Sequence, residues 1–574
     1  MELQRHARFP GRVRSACRLL VVAGMLRLMT HTPSSCRNFL AVESVSHEQG
    51  LPSPESSQAV DKKAGQGELE LATICGGGSV LLVALLFSLM KKKGKKTEVS
   101  GWDGAAVELL AICLAVGWII RFLIPRPSGV TSQAWTMLAI FVAMICGVVT
   151  EPLPASGVTI FAMAVALASN TVSFDEAVHG FTDQVVWMVL LAFFFASCFQ
   201  KTGLGQRLAL TVIKAVGGTT LGLAYGLNAA EMFVAAAMPS SAARAAALFY
   251  PLTVSVSKAS GSDPANGTQG KCGAFLVECC YQATATSSCL FLTGAAQNFL
   301  ILKLASGVGV EVPSPFGTWF LAALGPAIVS YLLTPLLAFL LIPPEATKTP
   351  DAPQIAKEQL QAMGPVTDDE KVFGLVMLSM VGFWATTSST GIPPIVTALC
   401  GQSLLMLTGI STWDECAKNS KAWGTFISFA TLVGLAGMLN KLGIVNWFAS
   451  TMTAKISAAG LGALPAFLLI MTAYWLVHYL FASQVAHVSA LFQPFLLMLV
   501  KTGTPGIPAV LTLAFISNLM MTLTPYASAQ SAVMFGGNFV SVSQWYKAGF
   551  AFFAFYWVVW ICSGAVWWKM IGLL

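Results

Sequence analysis

Ionisable side chains are scarce in this chain. Only 10% of its 574 residues are Asp, Glu, Lys or Arg, while 55% are hydrophobic. Soluble domains carry about a quarter charged residues. So thin a polar coat cannot close this much apolar surface against water, which leaves lipid as the solvent. Histidine is sparse, at six residues, and the 13 cysteines are scattered with no Cys-x-x-Cys spacing. Neither a disulfide framework nor a metal site is supported; the thiols read as small apolar packing groups. The Gly-x-x-x-x-Gly-Lys-[Ser/Thr], His-Glu-x-x-His and Gly-x-Ser-x-Gly patterns are missing too. ATP drive and intramembrane hydrolysis therefore lack their motifs. No cofactor and no metal is expected.

What charge there is lies unevenly. Between Arg5 and Arg37 there are seven arginines and no acid, and Lys91-Lys92-Lys93-Gly94-Lys95-Lys96 follows an apolar run. Targeting and membrane-edge anchoring explain such clusters better than a nucleic-acid groove. Residues 1–72 read as a targeting presequence and disordered linker, with a short apolar core over Leu19–Leu26. The apolar stretch Thr73–Met90 with its lysines, 73–96 in all, reads as an extra N-terminal span. This address fits a plastid inner envelope membrane; a mitochondrial inner membrane is the alternative.

The body divides in two. A first transport repeat covers 105–345, a polar stretch at 346–371 reads as the inter-repeat loop, and a second repeat covers 372–574. Apolar runs long enough for helices recur in both, including 208–227, 230–256 and 272–304 in the first and 461–482, 486–501 and 507–536 in the second. Laid over one another, the halves match. Lys201-Thr202-Gly203-Leu204 faces Lys441-Leu442-Gly443-Ile444, and Asp175-Glu176 faces Asp414-Glu415. Ser240 through Pro251 aligns without a gap to Ser483 through Pro494, placing Arg244 opposite His487. Gly294-Ala295-Ala296-Gln297-Asn298 pairs with Ala527-Ser528-Ala529-Gln530-Ser531. Duplicated membrane units are the mark of secondary transporters. A channel and a membrane enzyme rank below that reading. The expected fold is an all-α polytopic membrane protein of two inverted repeats with broken helices.

Polar backbone at membrane depth survives only where protein or water covers it, so interruptions of the apolar runs locate the site. Met238-Pro239-Ser240 should end one helix, with Ser240 capping the next. Ser483 repeats the serine without the proline. A helix N-terminus there would seat a carboxylate. A second pair of interruptions, Thr284 to Gly294 and Thr522 to Ser528, should be unwound. Arg244 and His487 sit four residues beyond the two serines. An unpaired arginine in a membrane costs at least about 2.5–3.5 kcal/mol, which a bound dianion would offset. Glu231 is the alternative partner for Arg244. Glu278, His478, Lys201 and Lys441 read as packing or loop-edge residues.

These stretches carry a resemblance. Arg121-Phe122-Leu123-Ile124-Pro125-Arg126-Pro127, Phe195-Ala196 through Gly205, Met238-Pro239-Ser240, Phe291 through Asn298, Met363-Gly364-Pro365-Val366-Thr367 and His478 through Gln484 together resemble the divalent anion:sodium symporter superfamily. Within it, they are similar to the plant plastid 2-oxoglutarate/malate translocators. The likeness covers about residues 105–574. It implies a scaffold domain, an elevator-type transport domain with two re-entrant hairpins, and a homodimer. The superfamily's Ser-Asn-Thr tip motifs map onto Ser240-Ser241-Ala242 and Ser483-Gln484-Val485, where the Asn and Thr of both copies are replaced. The implied substrate set adds Arg244, Thr293, Gly294, Asn298, His487, Thr524, Pro525, Tyr526, Ala527 and Ser528. Plastid relatives commonly have Thr-His-Tyr where Thr524-Pro525-Tyr526 stands.

Lost oxygen ligands argue against sodium. If Arg244 and His487 supply the positive charge instead, that charge cannot leave with the substrate, and the empty site is costly to move. Obligatory exchange of C4–C5 dicarboxylates such as malate and 2-oxoglutarate follows. A sodium-coupled dicarboxylate or anion symporter is the alternative. Membrane lipid is the other expected partner; nucleic acid is not.

Overall fold

A computed structural model describes residues 105–574 except Pro239. The presequence over 1–72, the 73–96 segment and Pro239 lie outside the described residues. Apart from one bridge, Thr219 to Lys348, every regular element described is helical.

In the first half, α1 (Val107–Trp118) is prolonged by a wider π-type turn over Ile119–Leu123. Then come α2 (Ser132–Thr150), α3 (Ala155–Ala168) and the short α4 (Phe174–Val178). Next are α5 (Gln184–Thr202), α6 (Leu204–Val216) and α7 (Thr220–Ala237). Beyond a break, α8 (Ser241–Arg244), a π-type turn (Ala245–Phe249) and α9 (Tyr250–Ala259) make one continuous arm. The broken pair α10 (Gly273–Leu290) and α11 (Ala296–Ser306), then α12 (Pro315–Leu341), complete the half.

Helix α13 (Asp351–Met363) leads into α14 (Asp368–Ala385), α15 (Thr387–Thr390), α16 (Pro394–Leu407), α17 (Trp413–Lys418) and α18 (Ser420–Lys441). The rest is α19 (Ile444–Ala458), α20 (Ala463–Val477), α21 (Gln484–Lys501), α22 (Gly506–Leu519), α23 (Ala529–Gly536), α24 (Val542–Val558) and α25 (Gly564–Met570). Among the described residues, seven helical runs are long and apolar enough to cross a membrane: α2, α5, α12, α18, α20 with its extension to Leu480, α21, and Val542–Met570.

Two expectations about the chain path are corrected. The apolar run 208–227 is not one helix. Gly217 and Gly218 interrupt it, and Thr219 starts α7 by accepting from the Gly222 amide at 3.0 Å. Hydropathy alone does not see a glycine pair followed by a cap. The polar stretch 346–371 is not a plain loop either. It holds α13, whose buried Ala352 and Ala356 mark the face it packs on α6. Arg207 of α6 clamps its end, donating to the Gly364 carbonyl at 2.9 Å and pairing with Glu370 at 2.6 Å.

Segments matched in the sequence adopt matching local geometry. Ser173 with Glu176 and Thr412 with Glu415 form matching capping boxes on α4 and α17. Gly203 (φ 77°) and Gly443 (φ 80°) make matching left-handed stops, a conformation that glycine adopts without penalty. The charges at these ends cross over: Lys201 reaches Glu415 at 2.5 Å, and Lys441 reaches Glu176 at 2.6 Å. Each matched segment lends its lysine to the glutamate of the other.

Candidate functional site

The first break is held open by one side chain. Helix α7 stops at Ala237, and Ser240 begins the next arm by accepting from the Ala243 amide at 3.2 Å, as the sequence predicts. Arg244, one turn on, is wholly buried. Its Nε donates to Glu231 Oε1 at 2.8 Å, and Nη1 donates at 2.6 Å to the carbonyls of both Met238 and Gly294. Nη2 donates to Ser288 Oγ at 3.1 Å and Ser287 Oγ at 3.3 Å. The fork thus joins α7, the break and the end of α10, which stays helical through Leu290, so the unwinding expected from Thr284 begins only at Phe291. Gly294 has to be glycine for this: a Cβ there would lie 2.7 Å from the Ser287 carbonyl oxygen and 2.9 Å from Ser288 Cα.

Arg244 is therefore not the uncovered cation that the sequence reading places before a dianion. Its donors are spent on the protein, and Glu231, the alternative partner, opposes its charge. Hydropathy cannot choose between a ligand and a neighbour one helix away.

The second break has a different fastener. Ser483 caps α21 by accepting from the Ala486 amide at 3.4 Å. Gln484 Nε2 donates to the carbonyls of Ser517 at 2.9 Å and Asn518 at 3.3 Å, and its Oε1 accepts from Gln530 at 3.0 Å. His487 is fully buried, with neither ring nitrogen hydrogen-bonded to protein. Its ring lies among Tyr474, Phe481 and His478, at centroid distances of 4.5, 5.0 and 5.1 Å. Tyr474 stands to His487 as Glu231 stands to Arg244, thirteen positions upstream. His478, set aside by the sequence reading, sits behind this break with Nε2 3.0 Å from the Ala527 carbonyl oxygen.

Amides join the two breaks. Asn298 Nδ2 donates to the Ser288 carbonyl at 2.8 Å, and its Oδ1 accepts from Asn518 Nδ2 at 2.8 Å. Gln297 donates to Asn518 Oδ1 at 2.9 Å. A continuous path of bonded groups therefore runs from Arg244 through Ser288, Asn298, Asn518 and Gln484 to Gln530. Packing is reciprocal as well: α8 meets α23, and α21 meets α11. Asn518 and the amides of Gln297 and Gln530 were missed as site residues. The matched positions of Gln297 and Gln530 in the repeat were the available signal.

The remaining predicted residues line or back these breaks. Thr293 ties to the Ala236 carbonyl at 2.7 Å. Ser528 meets Ser531 at 2.5 Å, and Ser531 meets Tyr281 at 2.8 Å. Tyr526 donates to the Tyr479 carbonyl at 3.3 Å, and Thr524 is buried beside it. Ser241 is buried, whereas Ser240, Ala242, Ser483, Val485, Pro525 and Tyr526 keep partial exposure. Those six are the predicted members with surface to meet a solute. Lys201 and Lys441 stay outside, as expected.

This architecture has relatives. Residues 105–574 match the family described as the sodium:sulfate symporter transmembrane region. The chain belongs to this family. It is a membrane transporter, not an enzyme. Dicarboxylate transporter 2, chloroplastic, of Spinacia oleracea is 42% identical over 471 residues, covering 82% of this chain and 84% of that protein. YflS of Bacillus subtilis, a candidate malate transporter, is 41% identical over 480 residues, covering 83% and 99%. In fold alone, the chain is similar to Neisseria gonorrhoeae MtrF, with a TM-score of 0.50, 13% identity and coverage of 79% and 97%.

Proposed function

We propose that this symporter-family member exchanges one C4–C5 dicarboxylate, of the malate and 2-oxoglutarate type, for another across a plastid inner membrane, without sodium. The observation that carries this reading is what fills the tip oxygens. A hard cation needs several oxygen ligands at once. Around the first break, the carbonyls of Met238 and Gly294 and the hydroxyls of Ser287 and Ser288 accept from Arg244. Around the second, the carbonyls of Ser517 and Asn518 accept from Gln484. Donors of the chain itself stand where a coupling ion would have to gather its ligands. The chloroplast relatives named as dicarboxylate transporters support the substrate class and the membrane.

The dicarboxylate lies between Ser240 and Ser483, its carboxylates on the amide-rich starts of the two arms. Arg244, Asn298 and Gln484 hold those starts in place from behind, and the unpartnered nitrogens of His487 offer the second break a donor. Without substrate, the buried ring nitrogens of His487 stay unmet, which disfavours movement of the empty carrier. The repeats are inverted, and the transport domain moves against a scaffold in a homodimer, as the resemblance implies. The reciprocal lysine–glutamate pairs support a two-fold relation of the halves.

Reconstitution tests this. Uptake of labelled 2-oxoglutarate into liposomes should need internal dicarboxylate and ignore sodium. Uptake into empty liposomes that rises with a sodium gradient would replace exchange with symport.

A further inference from the structure

We propose that the cleft between α1, α2 and α3 binds one anionic membrane lipid, with an acyl chain among the three helices and the phosphate on Arg121. The site lies apart from the two breaks and holds whichever solute is carried.

Gly117 of α1, Ala139, Ala143 and Gly147 of α2 and Ala162 of α3 line a cleft of about 450 Å³. Small-molecule sites occupy roughly 300–1,000 Å³. The helices cannot close further to fill it, because they already touch at its floor. A Cβ on Gly147 would lie 2.7 Å from Val158 Cγ1, and one on Gly117 would lie 3.0 Å from Ala143 Cβ. Leu114, Trp118 and Phe161 stand at the rim, 46%, 55% and 40% exposed. In a membrane transporter such an apolar rim meets lipid chains and not water.

The cleft is polar at one end. Arg121, Thr136 and Ser169 line it there, while Pro152 and Leu153 close the apolar opposite end. Two contacts bring the polar end together. Trp135 Nε1 of α2 donates at 2.8 Å to the Ile120 carbonyl, in the π-type turn that prolongs α1. Gln133 of α2 donates at 2.8 Å to the Thr171 carbonyl just beyond α3. A basic end on an apolar trough matches the polarity of an anionic lipid.

Arg121 has donors to spare. It is half-buried, and its Nη2 donates to Ser132 Oγ at 3.2 Å. Among the described residues, no other acceptor and no carboxylate meets its guanidinium, which carries five N–H groups. The Phe122 ring backs it, with the centroid 5.1 Å from Cζ. A phosphate can therefore take two parallel bonds from the free part of the fork. Arg126, on the same connection between α1 and α2, is exposed and adds a second positive charge. An arginine that merely snorkels to the surface needs no cleft beneath it. Basic groups between spans are the usual seat of anionic head groups.

The test titrates the full chain, purified in detergent, with phosphatidylglycerol, phosphatidylcholine and glycerol 3-phosphate, while native mass spectrometry counts what is bound. One phosphatidylglycerol per chain should bind saturably, phosphatidylcholine about tenfold more weakly, and glycerol 3-phosphate far more weakly than either. Arg121→Gln should weaken phosphatidylglycerol about tenfold. Val165→Trp, which fills the cleft from α3, should abolish its binding. Equal affinity for the two lipids, unchanged affinity in either variant, or glycerol 3-phosphate binding as tightly as the lipid overturns the proposal. Absence of saturable binding overturns it too, and would leave the cleft to residues 73–90 or to a second copy of the chain. Should Val165→Trp not fold, Arg121→Gln decides alone.

Discussion

Arg244 and Glu231 meet at 2.8 Å with no solvent exposure on either side chain. That ion pair is the fastener of the first break. Its worth lies less in attraction between the partners than in the cost of separating them.

Removing one partner should therefore be severe. Arg244→Ala leaves a buried carboxylate unpaired and the Met238 carbonyl without its donor, and should destabilise by about 3–5 kcal/mol. Arg244→Met combined with Glu231→Leu should recover much of this, because two apolar groups leave no orphan charge. Thermal unfolding in detergent checks both; a double variant no more stable than Arg244→Ala would contradict the account.

Gly294→Ala should lower exchange by roughly ten- to a hundredfold, since its Cβ would displace backbone that Arg244 is bonded to. Gly437→Ala, where a Cβ meets nothing within 4 Å, is the control and should transport normally. Initial rates in liposomes separate them.

Restoring the family's tip motif should restore sodium. Ser241→Asn with Ala242→Thr, and Gln484→Asn with Val485→Thr, return oxygen-bearing side chains and free the Ser517 and Asn518 carbonyls. Uptake by the fourfold variant should become sodium-stimulated. Indifference to sodium would show that the tips are not what decides coupling.

The reciprocal surface pairs should show in acid stability. The Lys441 ammonium, and then the Ser173 amide and hydroxyl, hold the Glu176 carboxyl down at about 2. A depressed carboxylate contributes stability above its unfolded value of about 4.3. That contribution is lost as pH falls from there toward about 2. Glu176→Gln should remove this component of the acid transition, and Lys441→Met should remove the larger part of it, leaving what Ser173 supplies. Both residues are partly exposed and screened, so stability near neutral pH should barely change. Unfolding followed at several acid pH values checks it.

Much of the architecture was legible because lipid imposes length and composition on each span, and duplication writes the same signals twice. Ser240 and Ser483 could be read as caps since capping depends on a few neighbouring residues. The matched Lys-x-Gly ends likewise depend on local chemistry. The helix at Asp351–Met363 escaped because its stability comes from packing on α6, which lies far away in the chain.

Contacts between distant segments had to wait for the fold. Glu231 and Tyr474 occupy equivalent places, yet one neutralises an arginine and the other packs against a histidine. Asn518 looks like a stray amide in an apolar run until α22 meets α11, where it accepts from Gln297 and donates to Asn298. Chain order dictates where helices break, since a break is a local competition for backbone hydrogen bonds. Which buried polar group answers which is settled when separate helices pack, because the cost of an unmet charge or amide is charged to the whole assembly and not to any one segment.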